Sequence, residues 1–355
     1  MATVNLMDKW ASKLEERFKI GSITDKWCGT NYDWTGVNTI KTLTLRTGKL
    51  NDYDAAASAN RFGTMTEVDD EANTYSLKQK RSFDQAFDET NVQDQNFLKK
   101  GAAYLKQMWD EAYVPEIDKH RFQRWASGAG LGDTTGTALT KTNVVEALLT
   151  AHAALDDAGV PMENRVTFVR SDIAVKYKLA DEFKAGEGTK EFVQKRQIGD
   201  VEGSPLIKVP RSRFPAGMAF MVKYKQATAD PVKLRMLRAK DDSDDLCGIR
   251  MQGLVRYDAF VLAQKADGIY VYFDKSGAAC AAPTFAIANN TVTITSSGTG
   301  NVIKYTTDGS NPKTSETART YSAGVAITED TAFRAYVSKA GLIDSPIVSY
   351  EAVHT

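Results

Sequence analysis

Residues 90–126 constrain the fold more than any other stretch, because they ask for one long amphipathic helix. Thr90-Asn91-Val92-Gln93 fits a capping box, in which the Thr hydroxyl and the Gln side chain satisfy amides that a helix start leaves open. Leu98, Ala102, Leu105, Trp109 and Ala112 then recur at alternating spacings of four and three, forming a single apolar stripe. Pro115 lacks an amide hydrogen and is expected to kink or restart the helix. Ile117, Phe122 and Trp125 carry the stripe on to about Ala126. At 1.5 Å per residue the run spans on the order of 50 Å. That is long for a compact enzyme and natural for a strut.

The flanking segments mix strand and helix. Met7, Trp10, Leu14 and Phe18 share one face of an N-terminal helix, which either packs on its own core or acts as an arm docking on a neighbour. Thr39–Leu45 alternates as a strand does, and so do Tyr75, Leu77, Gln79, Arg81 and Phe83. Between them lies a long polar stretch rich in Gly, Ala and Asp. The pattern predicts a long β-hairpin over 37–90 with an extended tip, either a surface hairpin or a binding element with edges open to another chain. Beyond the strut, Gly128–Thr137 breaks the helix. Asn143, with Glu146 three residues on, is expected to cap a second helix that buries Val144, Val145, Leu148, Leu149 and Leu155 and ends at Gly159. Arg165–Val169 reads as a strand, with Ser171 capping a helix to Leu179. Strands follow at Ser204–Val209, Ala219–Tyr224, Val232–Arg238, Ile249–Leu262 and Ile269–Phe273. The class is α+β.

Composition changes near residue 277. All five tryptophans lie within the first 125 residues, and no methionine follows Met251. From Gly277 to Thr355 there are 13 Thr and 8 Ser and no helical period. Short runs at Thr284–Ala288, Thr291–Ser296, Val302–Thr307, Val325–Thr328, Thr331–Val337 and Ile347–Val353, separated by turn clusters, predict a small β-sandwich. Ser276-Gly277-Ala278-Ala279 is the expected linker.

No catalytic, cofactor-binding or metal-binding residue emerges. Lys+Arg and Asp+Glu both number 45, so the basic excess usual in nucleic-acid binders is missing, while self-repulsion is low enough to suit packing against copies. Cys28, Cys247 and Cys280 are far apart and read as free thiols in a reducing compartment. His120, His152 and His354 lack metal-ligand spacing and are expected to be surface or packing residues. Gly128-x-Gly130-x-Gly132 follows a helix, without the strand context of a nucleotide fold, and reads as a hinge. Asp241-Asp242-Ser243-Asp244-Asp245 lacks the Gly and final Glu of a calcium loop and reads as a solvated loop. Neither a GxSxG elbow nor a P-loop occurs. No apolar run reaches the ~20 residues of a membrane helix, and the N-terminus lacks the pattern of a signal peptide.

Three phrases carry a resemblance. They are Val160-Pro161 followed by Arg165–Val169 and Ser171; Ile198-Gly199, then Gly203–Pro210 and Arg213-Phe214-Pro215; and Arg256–Val261 with Lys265 and Gly268. With the order of elements, they resemble a tailed-phage major capsid protein of the Hong Kong 97-like fold. The resemblance implies an N-terminal arm (1–36), an extended β-hairpin or E-loop (37–90), a spine helix (91–126), and peripheral and axial domains (127–276). A second, more local resemblance rests on Tyr305–Pro312 (Tyr-Thr-Thr-Asp-Gly-Ser-Asn-Pro), Tyr321, Phe333-Arg334-Ala335, Gly341 and Ser345. These look like the immunoglobulin-like C-terminal domain of chitobiase and β-hexosaminidase, an accessory module there, and imply an all-β surface domain over 277–355. Tyr321 and Tyr336 are expected in its core and not on a sugar-binding platform.

Together the resemblances imply a non-enzymatic major capsid protein of a tailed bacteriophage. It would form hexamers and pentamers of an icosahedral shell enclosing DNA without sequence-specific binding, assembled in the bacterial host cytoplasm and resident in the virion. Scaffolding, portal or decoration proteins would be partners, with a host-surface glycan as a candidate contact for the last domain. The hairpin tip Gly48–Glu71 is the expected inter-subunit element, with Asp69-Asp70-Glu71 meeting Arg121 or Arg124 of a neighbour's spine helix. A chain cut after Ser276 is expected to form shells still. The alternatives are a phage tail-tube or other tail structural protein and a carbohydrate-binding accessory protein.

Overall fold

The computed structural model describes residues 20–29, 39–45, 52–53, 55–56, 60–63, 65, 67, 70–88, 101–180, 197–243 and 246–354. The expected helix around Met7, Trp10, Leu14 and Phe18, the capping box Thr90–Gln93 with Leu98, and Asp244-Asp245 lie outside them.

β1 (Thr39–Leu45) and β2 (Asp70–Ser76) form an antiparallel pair, Thr39 opposite Ser76 and Leu45 opposite Asp70. The alternation from Tyr75 to Phe83 is not one return strand. It divides at Leu77-Lys78, where the Lys78 amide donates to the Asp258 carboxylate at 3.0 Å. β3 (Gln79–Asp88) then joins β10 (Val232–Ser243) and β11 (Leu246–Tyr257) in the sheet order β10-β11-β3. Asp241, Asp242 and Ser243 are therefore strand residues and not loop, because β10 and β11 pair almost to their ends, with Ser243 opposite Leu246.

α1 (Gly101–Met108), a π-helical turn (Trp109–Tyr113) and α2 (Val114–Gly128) form one unbroken helical run. Pro115 sits in the first turn of α2 and does not break it. The wide turn just before it is where the hydrogen-bond ladder skips the amide that proline lacks.

α2 packs on one face of a six-stranded sheet in the order β4-β13-β8-β5-β7-β6. These strands are β4 (Leu131–Asp133), β5 (Arg165–Arg170), β6 (Gln197–Val201), β7 (Ser204–Val209), β8 (Met218–Tyr224) and β13 (Ile269–Phe273). β13 shows the period of two: Ile269, Val271 and Phe273 join Phe122 and Trp125 in one core, and Tyr270 and Tyr272 join the other. That second core is covered by α3 (Val144–Asp157) and α4 (Ser171–Leu179).

Several local expectations are corrected. Leu149 is exposed, and Ala151 and His152 are buried in its place. The Asn143 side chain turns back to accept from the Thr140 amide at 2.6 Å, so it does not cap α3. Ser171 is the first residue of α4, with its hydroxyl donating to the Val209 carbonyl at 2.9 Å. Gly159 does end α3: its φ is +69°, and Gly159 and Val160 donate to Asp156 and Leu155 in a Schellman arrangement. The expected strand Ile249–Leu262 breaks at Asp258, and β12 (Phe260–Val261) pairs separately with β9 (Thr228–Ala229).

The C-terminal module is a sandwich of two antiparallel sheets. One is β14 (Thr284–Ala288), β15 (Thr291–Thr295) and β18 (Val325–Ala326). The other runs β17-β16-β19-β20, with β16 (Val302–Thr306), β17 (Arg319–Thr320), β19 (Thr331–Ser338) and β20 (Val348–Ala352). Val292, Ile294, Tyr305, Ile327 and Phe333 form its core, with Tyr321 packed against it.

The glycine run after α2 is no hinge. β4 lies in the large sheet, and a Cβ on Gly130 would come within 2.7 Å of the Asp267 amide nitrogen and 2.8 Å of the Ala266 carbonyl carbon. Backbone cannot yield as a side-chain tip does, so Gly130→Ala is expected to cost about 1–3 kcal/mol of stability. Denaturant unfolding of the purified variant measures this, and an unchanged midpoint would show that the crossing is loose.

Candidate assembly surfaces

Residues 20–29 cross α2 and are held by a buried ionic cluster. Asp118, fully buried, accepts through Oδ1 from Thr24 Oγ1 at 2.6 Å and Ser22 Oγ at 2.9 Å. Its Oδ2 accepts from the Ile23 amide at 3.0 Å and Arg213 Nη1 at 2.6 Å. Arg213 also donates to the carbonyls of Ile20 and Gly21, and Arg121 donates to Thr24 Oγ1 and Asp25 Oδ1. A carboxylate is tolerated in this apolar layer because it is paired and hydrogen-bonded on both oxygens. Nearby, Lys223 donates to the Trp27 carbonyl at 2.6 Å and lies 4.0 Å from the centre of the Trp125 ring. Burial pulls its pKa down to about 8, with Asp230 opposing. The chain is thus held in place at Ile20 and Gly21.

Arg121 is accordingly buried and engaged, which removes it as a receptor for a neighbour's Asp69-Asp70-Glu71. Arg124 remains about half exposed. In the hairpin region, the rings of Tyr53 and Phe62 meet at a tilt with centres 5.0 Å apart, yet Phe62 is 82% and Met65 95% exposed. Asn60 (φ +54°) and Gly63 (φ +84°) shape the turn that presents Phe62. The base is anchored differently: Tyr75 and Leu77 are buried, and Tyr75 packs with Ala229, Phe260 and Leu262.

The C-terminal module sits on the end of α2. Lys313 Nζ donates to the Ser127 and Ala129 carbonyls at 2.7 and 2.8 Å. The Ile347 amide donates to Gly130 O at 2.8 Å, and Arg334 Nη2 donates to both carboxylate oxygens of Asp267 at 2.9 Å. Ala266, Tyr336 and Ile347 are buried together against Val261, so Tyr336 belongs to this seam and not to the sandwich core. Of the expected linker, Ser276 and Gly277 are exposed, whereas Ala279 is buried and bridges Ile343, and Cys280 after it is buried as well.

The remaining chemical candidates are dispersed. His120 Nε2 pairs with Asp258 Oδ1 at 2.9 Å, His152 is buried 3.3 Å from Thr167 Oγ1, and His354 is on the surface beside Asn290. Cys28 and Cys280 are buried free thiols, and burial pushes the Cys28 thiol well above its ordinary range. Among the described residues no cluster suits a metal ion, and no helix is long and apolar enough to cross a membrane. Asp118, Arg213, Asn311 and Lys313 were missed as positioning residues. Only the string Asn311-Pro312-Lys313 directly after an Asp-Gly turn offered a local signal for the last two.

Residues 292–351 match the family model described as Fn3 associated. Over 77% of this chain and 98% of the other, the structure resembles a chain of Mycobacterium phage Che8, with a TM-score of 0.61 and 17% identity. The capsid structure of the cyanophage P-SCSP1u matches at 0.60 and 14% identity, over 77% of this chain and 94% of that one. The asymmetric unit of the mature capsid of bacteriophage PhiM1 matches at 0.57 and 11% identity, over 76% and 91%. No curated protein matches the sequence. At these identities the likeness is one of fold: the chain has the α+β, Hong Kong 97-like capsid fold, with an immunoglobulin-like sandwich at its C-terminus.

Two outcomes are expected. Asp118→Ala leaves Arg213 buried without its carboxylate, and should cost about 3–5 kcal/mol in denaturant unfolding; a loss under about 1 kcal/mol would mean that the cluster carries little. His152 has its pKa lowered to about 4 by burial, with Arg165 adding to the shift. Between that value and its ordinary one near 6.5 the unfolded chain binds the extra proton, so stability falls as pH drops through that window. The slope contributed is at most about 1.4 kcal/mol per pH unit, and His152→Gln should remove that part of it in urea melts at pH 6.5 and 4.5.

Proposed function

We propose that this chain is the major capsid protein of a tailed bacteriophage. It self-assembles into the icosahedral shell around the DNA and carries its immunoglobulin-like module on the outer surface. The observation that supports this most is the hairpin: on a body with a capsid fold, it leaves Tyr53, Phe62 and Met65 largely exposed, an apolar surface that a second molecule can cover. Hexamers and pentamers of identical subunits need only modest contacts, because a closed shell multiplies them. The fixed departure point at Ile20 suits an arm that reaches a second neighbour. Equal numbers of acidic and basic residues fit a container that encloses DNA without reading it. In this reading the protein is no enzyme; its chemistry is adhesion, in the virion after assembly in the bacterial cytoplasm. Scaffolding, portal and decoration proteins are the further partners, and a host glycan is a candidate ligand of the exposed module. Domain limits of 1–36, 37–90, 91–126, 127–276 and 277–355 describe this division of labour.

The hairpin tip tests the reading. A chain carrying Phe62→Ser and Met65→Ser should keep its unfolding midpoint, since neither side chain is buried. Its yield of large particles in sedimentation velocity should drop roughly tenfold or more, as when central apolar contacts are removed from an interface. Equal particle yield from both chains would remove the hairpin from the assembly contact.

A further inference from the structure

We propose that the C-terminal module is an internal brace, which holds the base of the β1–β2 hairpin through Ala263 and closes the end of α2 through Lys313. A module on a flexible tether would leave both elements to the body. Here both end on the same loop of the module, Asn311–Thr314.

Ala263 is the joint. Its amide donates to Tyr75 Oη at 3.1 Å, which ties down the hairpin base. Its carbonyl accepts from Asn311 Nδ2 at 2.9 Å, which ties the same residue to the module. Asn311 is buried, and its other polar end is also in use: Oδ1 accepts from the Lys313 amide at 2.9 Å. The side chain therefore cannot rotate away without losing a bond at each end. Tyr75 packs on Phe260 with ring centres 5.5 Å apart, so the segment 260–263 lies between hairpin and module and touches both.

Lys313 does the same for α2. The last carbonyls of a helix have no partner within it and carry the negative end of its dipole. The ammonium of Lys313 bonds the Ser127 and Ala129 carbonyls there, and Ser127 Oγ donates to Asp344 of the module at 2.8 Å. Lys313 is only partly buried as a residue, but desolvation of its ammonium pulls its pKa down to about 7 against Asp344 and Asp267. Asn73–Ser76 of the hairpin, Arg124, Ser127 and Gly128 of α2, and Asn311, Lys313 and Thr314 of the module converge on one cavity of about 390 Å³.

This arrangement reverses the expectation for a chain cut after Ser276. Removing the module takes the partners from Ser127 O, Ala129 O, Gly130 O and Ala263 O, and uncovers Val261 and Ala266.

The brace is a property of the single chain, so it is tested without shells. Amide hydrogen exchange of the unassembled full-length protein is compared with Asn311→Asp and Lys313→Met. Aspartate keeps the acceptor that shapes the module's loop and replaces the donor to Ala263 with a carboxylate oxygen that repels that carbonyl; methionine keeps most of the length of the lysine and loses its donors. Exchange over residues 70–78 and at Ala263 should speed up roughly tenfold or more in Asn311→Asp, and over 124–130 in Lys313→Met, as expected for losing a buried partner. Protection of Phe333–Val337 reports that the module is still folded. Unchanged exchange over 70–78 and 124–130 in both variants overturns the proposal, whether or not the module stays folded, because hairpin and helix would then hold without it.

Discussion

Asp118 places a negative charge inside an apolar layer, and the contacts that neutralise it organise the molecule around one helix. Two hydroxyls, a backbone amide and Arg213 converge on that carboxylate, from residues 22–24 on one side and the loop before β8 on the other. The same helix buries Phe122 and Trp125 against the large sheet. Two residues to either side of Asp118, Glu116 bonds Arg81 of β3 and Tyr257 of β11, and His120 bonds Asp258. Lys313 takes the Ser127 carbonyl in the last turn of the helix and that of Ala129 just beyond it. N-terminal segment, hairpin base, three-stranded sheet and C-terminal module are all referenced to α2, so its position fixes theirs.

The three segments tied to α2 are held in the same way. The anchored residues of each extension are buried and polar-paired: Tyr75 at the hairpin base, Thr24 in the N-terminal segment, Asn311 in the module. Removing one partner of such a pair costs more than the pair contributes over an apolar contact, so these groups specify geometry more than they add stability. The described parts of the hairpin tip do the opposite: Phe62 and Met65 are largely exposed. Rigid bases with apolar ends are what a subunit needs if its extensions are to meet neighbours at a set angle.

Much of this was readable from the residues. The 4,3,4,3 spacing located the long helix, period-two runs located most strands, and Tyr305-Thr306-Thr307-Asp308-Gly309 marked a sandwich turn. What escaped depended on contacts distant in sequence. Nothing in Gly128-x-Gly130-x-Gly132 says that Asp267 and Pro346 press against it, so spacing alone suggested a hinge where there is a close crossing. Arg121 sits on a charged helical stretch and looks exposed until residues 24 and 25 fold over it. The break at Lys78 arises from Asp258, 180 residues away. Asn143 and Ser171 carry the right chemistry for caps, and other partners claimed their side chains.

If the chain is a tile, a second copy completes its exposed hairpin groups. Cryo-electron microscopy of the purified full-length protein tests it most directly. Closed shells in which Phe62 and Met65 lie against an adjacent subunit are the predicted result. A monodisperse monomer at high concentration, or shells in which these side chains face solvent, would contradict it.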